Sequence, residues 1–300
     1  MTTSDLQVQL LDMDKRRSFW GNAIRQVLRD KLTLIAMIVL LGLTMVAVFG
    51  PPIVENVLHV DVEDTSVRDR YQPPSSEHPF GTDQLGRDLL IRLLFGGRIS
   101  LAIAYIASFL SMTIGMVVGI LAGYSGGFVD DFIMWFITTL NSIPSLFLLL
   151  IATVVWSPSA GTLIFFLAAL GWIGAARLIR GQTIVLKQQD YLLAARALGA
   201  THRRLMIWHI MPNVLSIAII SMTINAGMLI LLESGLSFLG LGVQPPTPTW
   251  GNMLTDSRAY FDRGIHLVIF PGVAITVTVL CFFLLGDGLR DALDPRLINK

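Results

Sequence analysis

Apolar residues gather along this chain into six blocks of about 20, without the period-two alternation of a half-buried strand. The blocks are residues 32–50, 99–123, 132–155, 162–179, 210–232 and 267–286. A helix rises about 1.5 Å per residue and bonds its own backbone, so each block is long enough to cross a hydrocarbon core of about 30 Å. Runs of this kind exclude a membrane β-barrel. The pattern predicts an all-α integral membrane protein with six transmembrane helices.

The polar stretches between the blocks set the organisation. Residues 1–31 precede the first block, and no small-x-small cleavage site stands before Pro51-Pro52, so the first block is expected to remain as a helix. Residues 15–17 and 19–20, basic and then aromatic, suit an amphipathic helix on the inner membrane surface or a disordered leader. Residues 32–98 hold the first helix and a polar external loop with Pro73-Pro74 and Pro79, read as a small cap or an amphipathic entry to the second helix. Residues 99–286 form a core of five further helices with a patterned segment at 180–209, and 287–300 are a tail.

Composition agrees with the pattern. Hydrophobic residues make up 53% of the chain and charged ones 14%, against about a quarter charged in soluble domains, which leaves too little polar surface for a water-soluble ball. The net charge of +1 carries no field suited to nucleic acid. Fifteen of the 22 basic side chains fall in residues 1–31, 177–204 and the tail, so the positive-inside rule places both termini in the cytoplasm. The single cysteine, Cys281, lies in an apolar run and reads as a small buried hydrophobe. No nucleophile–base pair, two-carboxylate site or metal-ligand spacing can be assembled, and His209 reads as structural. Catalytic residues, metals and cofactors are therefore not expected.

The segment Asp190-Tyr191-Leu192-Leu193-Ala194-Ala195-Arg196-Ala197-Leu198-Gly199-Ala200-Thr201-His202-Arg203-Arg204 carries the strongest functional signal. Alanines give helix propensity with little bulk, so a partner's groove can approach the backbone, and Gly199 allows the left-handed residue that ends the helix. Pro212 is expected in the first turn of the fifth span, where a missing N–H costs no hydrogen bond.

This stretch resembles the EAA loop of permease subunits in bacterial binding-protein-dependent ABC importers. Ala194, Ala195, Gly199 and Pro212 fall on that frame, while Leu193 stands where glutamate is usual and Met211 where leucine is usual. Residues 80–88 with Arg92 and 96–101, residues 235–251, and the tail 286–295 are similar to the oligopeptide, dipeptide and nickel permease family, most closely its "C"-type subunit. The resemblance implies a type I ABC importer permease fold in a bacterial or archaeal plasma membrane. It also implies a homologous sister permease, two ATPase subunits that hydrolyse the ATP, and an extracytoplasmic binding protein. The cargo it implies is a short peptide, with nickel chelates, glutathione and oligosaccharides as family alternatives. Leu193, Ala194, Ala195, Arg196, Gly199, Ala200 and Pro212 are then the residues expected to couple to the ATPase. No Gly-x-x-x-x-Gly-Lys-Ser/Thr occurs in this chain.

Other positions leave two readings open. Asn141 and Pro144 in the third block either line the translocation pathway or mark a satisfied bend. Glu233 either serves an outer gate or sits where its helix meets the interface, and Asn225 either lines a cavity or bonds a neighbouring helix. Arg196, His202, Arg203 and Arg204 face acids on an ATPase, or headgroups and water. Ser111, Gly115, Gly119 and Gly123 form a small-residue ridge whose neighbour belongs to this chain or to the sister. An autonomous ion-coupled carrier would need mid-membrane ionisable groups or inverted repeats, and a membrane-embedded enzyme would need a His/Asp/Glu cluster; neither pattern is present.

Overall fold

The computed structural model describes residues 21, 23–57, 62–156, 159–258 and 264–293. The basic–aromatic stretch at 15–20 and the end of the tail motif at 294–295 lie outside the described residues. The chain folds as α1 (Lys31–Asn56), α2 (Leu89–Ser125), α3 (Gly127–Asn141), α4 (Ser145–Val155), α5 (Ala160–Lys187), α6 (Asp190–Ala197), α7 (His202–Phe238), α8 (Trp250–Arg258) and α9 (His266–Leu293). Among the described residues there is no strand, only an isolated bridge between Thr82 and Asp88. Helices α1, α2, α5, α7 and α9 are each long and apolar enough to cross a membrane, and α3 with α4 makes a sixth pass bent by 70°. The third apolar block is thus two helices joined at Ser142–Pro144, not one kinked rod.

Several helices outrun the apolar blocks that predict them, because polar residues at their ends find partners. α2 begins ten residues before Ile99, capped by Asp88, whose carboxylate accepts from Leu90 N at 2.8 Å and Ile91 N at 3.1 Å. At 37 residues it is about 55 Å long, so it extends beyond a bilayer core. α1 continues through Pro51-Pro52 to Asn56, and the Asn56 side chain donates to the Pro52 carbonyl at 2.9 Å. The two prolines remove two ladder bonds within α1, and Pro51 and Val54 are buried in the bundle. Residues 23–29 form a helical turn before Asp30. It rests on the end of α9 through Ala23, Val27, Ala292 and Leu293, and Gln26 donates to the Asp291 carbonyl.

The small-residue ridge packs within this chain. α2 and α5 share its largest interface, and a Cβ at Gly115 would lie 2.4 Å from Ala175 Cβ, at Gly119 2.6 Å from Ala176 O, and at Gly123 2.7 Å from Arg180 O. From the other side Gly171 meets Ser111, whose oxygen would be 2.5 Å from a Cβ there. Lipid is as apolar as leucine, so helix pairs in a bilayer gain from such close backbone approach, not from hiding apolar surface.

Residues 62–88 form a cap over the N-terminal end of α2. Its centre is the buried Asp83 carboxylate: one oxygen accepts from Leu85 N at 2.8 Å and Arg87 N at 3.0 Å, the other from Arg87 Nε at 2.7 Å and from Arg92 on α2. Burial pushes the Asp83 carboxyl up, but Arg92, Arg87 and the two backbone donors outweigh it and hold the group below the usual carboxylate range. At Gly86 (φ +77°) a side chain would strike the Ser66 carbonyl at 1.9 Å, so the turn around Asp83 closes only on glycine. Phe80 stacks on Phe270 of α9 with centroids 4.0 Å apart, and His78 Nδ1 pairs with Asp88 at 2.9 Å. The cap is thereby tied to two helices.

Gly119→Leu is expected to separate α2 from α5, since the nearest obstacle is backbone, and to destabilise the protein by at least about 1–3 kcal/mol. Thermal unfolding of the purified protein in detergent checks this, and an unchanged midpoint would contradict the packing. Because the folded Asp83 carboxyl lies below its unfolded value, its contribution is complete at neutral pH and is lost as pH falls through the carboxylate range. Hydrogen-exchange protection of the Leu85 and Arg87 amides should therefore drop between pH 5 and pH 2 in roughly the carboxylate window.

Candidate functional site

At the end of the bundle opposite the cap, α5 stops at Lys187 and the chain turns through Gln188-Gln189 into α6. The eight-residue helix ends in a Schellman arrangement: Gly199 at φ +84°, its N–H donating to Arg196 O, and Ala200 N–H donating to Ala195 O at 3.1 Å. Thr201 then caps α7, its hydroxyl accepting from Arg204 N at 3.4 Å. The distance from Ala195 to Gly199 and Ala200 is thus fixed by one helix-ending motif.

α6 is held by one face and free on the other. Leu192 is buried, and with Ala195 and Ala200 it packs on Leu205, Met206 and Ile210 at the start of α7. Leu193, Ala194, Arg196, Ala197 and Leu198 are exposed, Leu198 at 89%. The outward surface is small and mostly uncharged, able to accept a groove at close range. A Cβ at Gly199 would meet nothing within 4 Å, so the glycine is required by its backbone angle and not by crowding.

Pro212 stands in the first turn of the regular α-helical part of α7, Met211–Phe238, as the sequence predicts, but the helix is continued backward from there to His202 through a π-turn. Residues Leu205–Ile210 form a π-helical turn in which Met211 N bonds to Met206 O, and the Asn213 side chain donates to the His209 carbonyl at 2.5 Å.

The four pathway candidates do not form one cluster. Asn141 and Pro144 are exposed at the α3–α4 bend, whose helices pack chiefly on α2 and α5. Asn225 is half-buried midway along α7. Glu233 is completely buried near the other end of α7, where Oε1 accepts from Ser237 at 2.7 Å and Oε2 from Ser100 on α2 at 3.3 Å. Ser100 in turn accepts from Trp250 N at 3.1 Å, and Trp250 Nε1 donates to Leu93 O at 3.0 Å. The carboxylate therefore fastens α7 and α2 to the start of α8. Asn252 closes the loop before α8 with donations to Val243 O and Thr247 O. This accounts physically for the Ser-, Thr- and Trp-bearing motif at 235–251.

Residues that the sequence pattern did not bring to this end of the bundle are Tyr124, Lys187, Asp130 and Arg180. Arg180 forms a two-pronged pair with Asp130 at 2.5 and 2.6 Å, joining α5 to α3. Lys187 Nζ donates to the Tyr124 carbonyl at 2.6 Å. The only sequence signal of Tyr124, Asp130 and Arg180 is position, where an apolar block meets a polar stretch, and Lys187 lies within the polar segment that follows.

Apolar helices with this connectivity, and a small-faced helix projecting between two of them, define a multi-pass membrane permease subunit. The chain belongs to the family described as binding-protein-dependent transport system inner membrane component, which matches residues 115–299, and residues 18–74 match the N-terminal TM domain of oligopeptide transport permease C. It is 38% identical to the oligopeptide transport system permease protein OppC of Haemophilus influenzae, over 93% of this chain and 89% of that protein. It is 36% identical to OppC of Bacillus subtilis, over 94% and 92% of the two chains. The glutathione transport system permease protein GsiD of Salmonella typhimurium is 41% identical, over 95% and 93%. The chain is a permease subunit of this family.

Glu233→Ala removes two hydrogen-bonded contacts from a dry site and is expected to cost about 2–4 kcal/mol, with Glu233→Gln milder. Thermal unfolding and solute uptake measured side by side separate an anchor from a gate: lost uptake in Glu233→Gln at an unchanged unfolding midpoint would contradict the anchoring role.

Proposed function

We propose that this chain is one transmembrane half of an ATP-driven importer for di- or oligopeptides. A homologous sister permease completes the pathway, two ATPase subunits supply energy, and an extracytoplasmic binding protein delivers cargo. The observation that carries the reading is α6 itself: a helix anchored by Leu192 and Ala195 yet exposing Leu193, Ala194, Ala197 and Leu198 at the end of the bundle. Such a face is costly to leave in water and suits a partner's groove. Short peptides are favoured as cargo because relatives at 36–41% identity are named for oligopeptides and for glutathione, itself a short peptide.

Both termini and α6 lie in the cytoplasm, in line with the distribution of basic residues, and the Asp83 cap faces outward toward the binding protein. Residues 1–31 and 287–300 are cytoplasmic, and 99–286 form the permease core. Closure of the ATPase dimer pushes α6, and Gly199 with Ala200 keeps its angle to α7 while the helices swing between inward and outward openings. Leu193, Ala194, Ala195, Arg196, Gly199, Ala200 and Pro212 form the transmission element. Asn141 and Pro144 at the exposed bend, and Asn225 on α7, line the pathway, with Glu233 bracing its outer end.

In the assembled transporter, Gly199→Trp forces a bulky side chain onto a left-handed residue and is expected to abolish peptide uptake and cargo-stimulated ATP hydrolysis while membrane insertion persists. Uptake at the normal rate in vesicles would overturn the reading, as would gradient-driven flux through the chain reconstituted alone.

A further inference from the structure

Both ends of the α6 loop are held by one residue. Tyr124, buried at the end of α2, receives Lys187 from the last residue of α5: the ammonium donates to the Tyr124 carbonyl at 2.6 Å and lies 5.5 Å over the ring centroid. That carbonyl is among the last four of its helix, which lack intrahelical partners and attract a cation. At the other end of the loop, His202 opens α7. Its Nδ1 lies 2.7 Å from the Tyr124 hydroxyl, with the rings edge to face at 5.6 Å.

Without this grip, α6 would be fastened mainly to the π-turn Leu205–Ile210 of α7, through Leu192 and Ala195 against Leu205 and Ile210. That turn is a departure from regular α-helix, in which a push on α6 is spent locally. Tyr124 instead joins the loop to α2. From α2 the path runs into α5 through the contacts at Gly115, Gly119 and Gly123, and into α3 through Arg180 and Asp130. These are stiff connections, since a Cβ at any of the three glycines would meet neighbouring atoms at 2.4–2.7 Å.

We infer that Tyr124 is a positioning residue of energy coupling: by clasping Lys187 and His202 it makes the α6 loop move as one body with α2, α3 and α5. This rests on the reading of α6 as the ATPase contact. It does not require Tyr124 to touch cargo, nucleotide or the ATPase.

The test uses the complete transporter in vesicles, with sister permease, ATPases and binding protein, and reads ATP hydrolysed per peptide imported. Tyr124→Phe keeps the ring and the carbonyl but loses the hydroxyl. It is expected to assemble normally, hydrolyse ATP, and raise that ratio about fivefold, the population change that one lost hydrogen bond produces. His202→Phe should do the same and His202→Gln, whose amide reaches the hydroxyl, should stay near the unmodified ratio. The double variant Tyr124→Phe/His202→Phe should be no worse than either single one. Unchanged ratios in both single variants, additive effects in the double, or ATP hydrolysis and uptake falling in equal proportion would each overturn the inference. Gly199→Trp in the same assay keeps the two claims apart. If it uncouples while the Tyr124 and His202 variants do not, only the clasp is wrong; if it transports normally, the α6 reading itself fails.

Discussion

The close approach of α2 and α5 along Ser111, Gly115, Gly119 and Gly123 is the contact on which the remaining architecture depends. In a bilayer, apolar side chains gain nothing by leaving lipid for protein, so a stable helix pair must come from dense packing and from polar groups that have no other partner. The glycine ridge supplies the first. It brings backbone to backbone, and it fixes the ends of both helices relative to each other. Arg180–Asp130 and Lys187–Tyr124 then form at one end because that spacing is already set.

The opposite end is organised by polar groups that water does not reach. The buried Asp83 carboxylate with Arg87 and Arg92, and the buried Glu233 carboxyl group with Ser100 and Ser237, each engage several partners. A carboxylate left unpaired in such places would be strongly destabilising, so each one specifies a single arrangement of the helices around it. One end of the molecule is thereby braced by buried polar groups, while the other presents α6 on a loop that Tyr124 holds through Lys187 and His202.

Helix number and class were legible in the pattern because the bilayer imposes length and composition on every spanning segment. Helix ends were less so. α2 starts ten residues before its apolar block and α7 eight residues before its own, since Asp88, Thr201 and the Arg92 ion pair stabilise polar turns that hydropathy cannot distinguish from loop. Pro51-Pro52 read as a boundary but lie within α1, and Pro212, in the first turn of a regular α-helix, is preceded by a π-turn that carries the helix back to His202. Pro144, by contrast, does divide its block, by a 70° bend.

The sequence alone determined that the chain is a bundle of membrane helices with a small-faced loop helix ending at Gly199, because these properties depend on local composition, on a periodicity and on one residue's allowed backbone angles. Only the tertiary structure decided that the glycine ridge meets α5 of the same chain, that Glu233 is enclosed by hydroxyls, and that Tyr124 holds both ends of the loop. Those are meetings between residues 50 to 150 positions apart, and no local propensity encodes which side chains will share a space once the helices are packed.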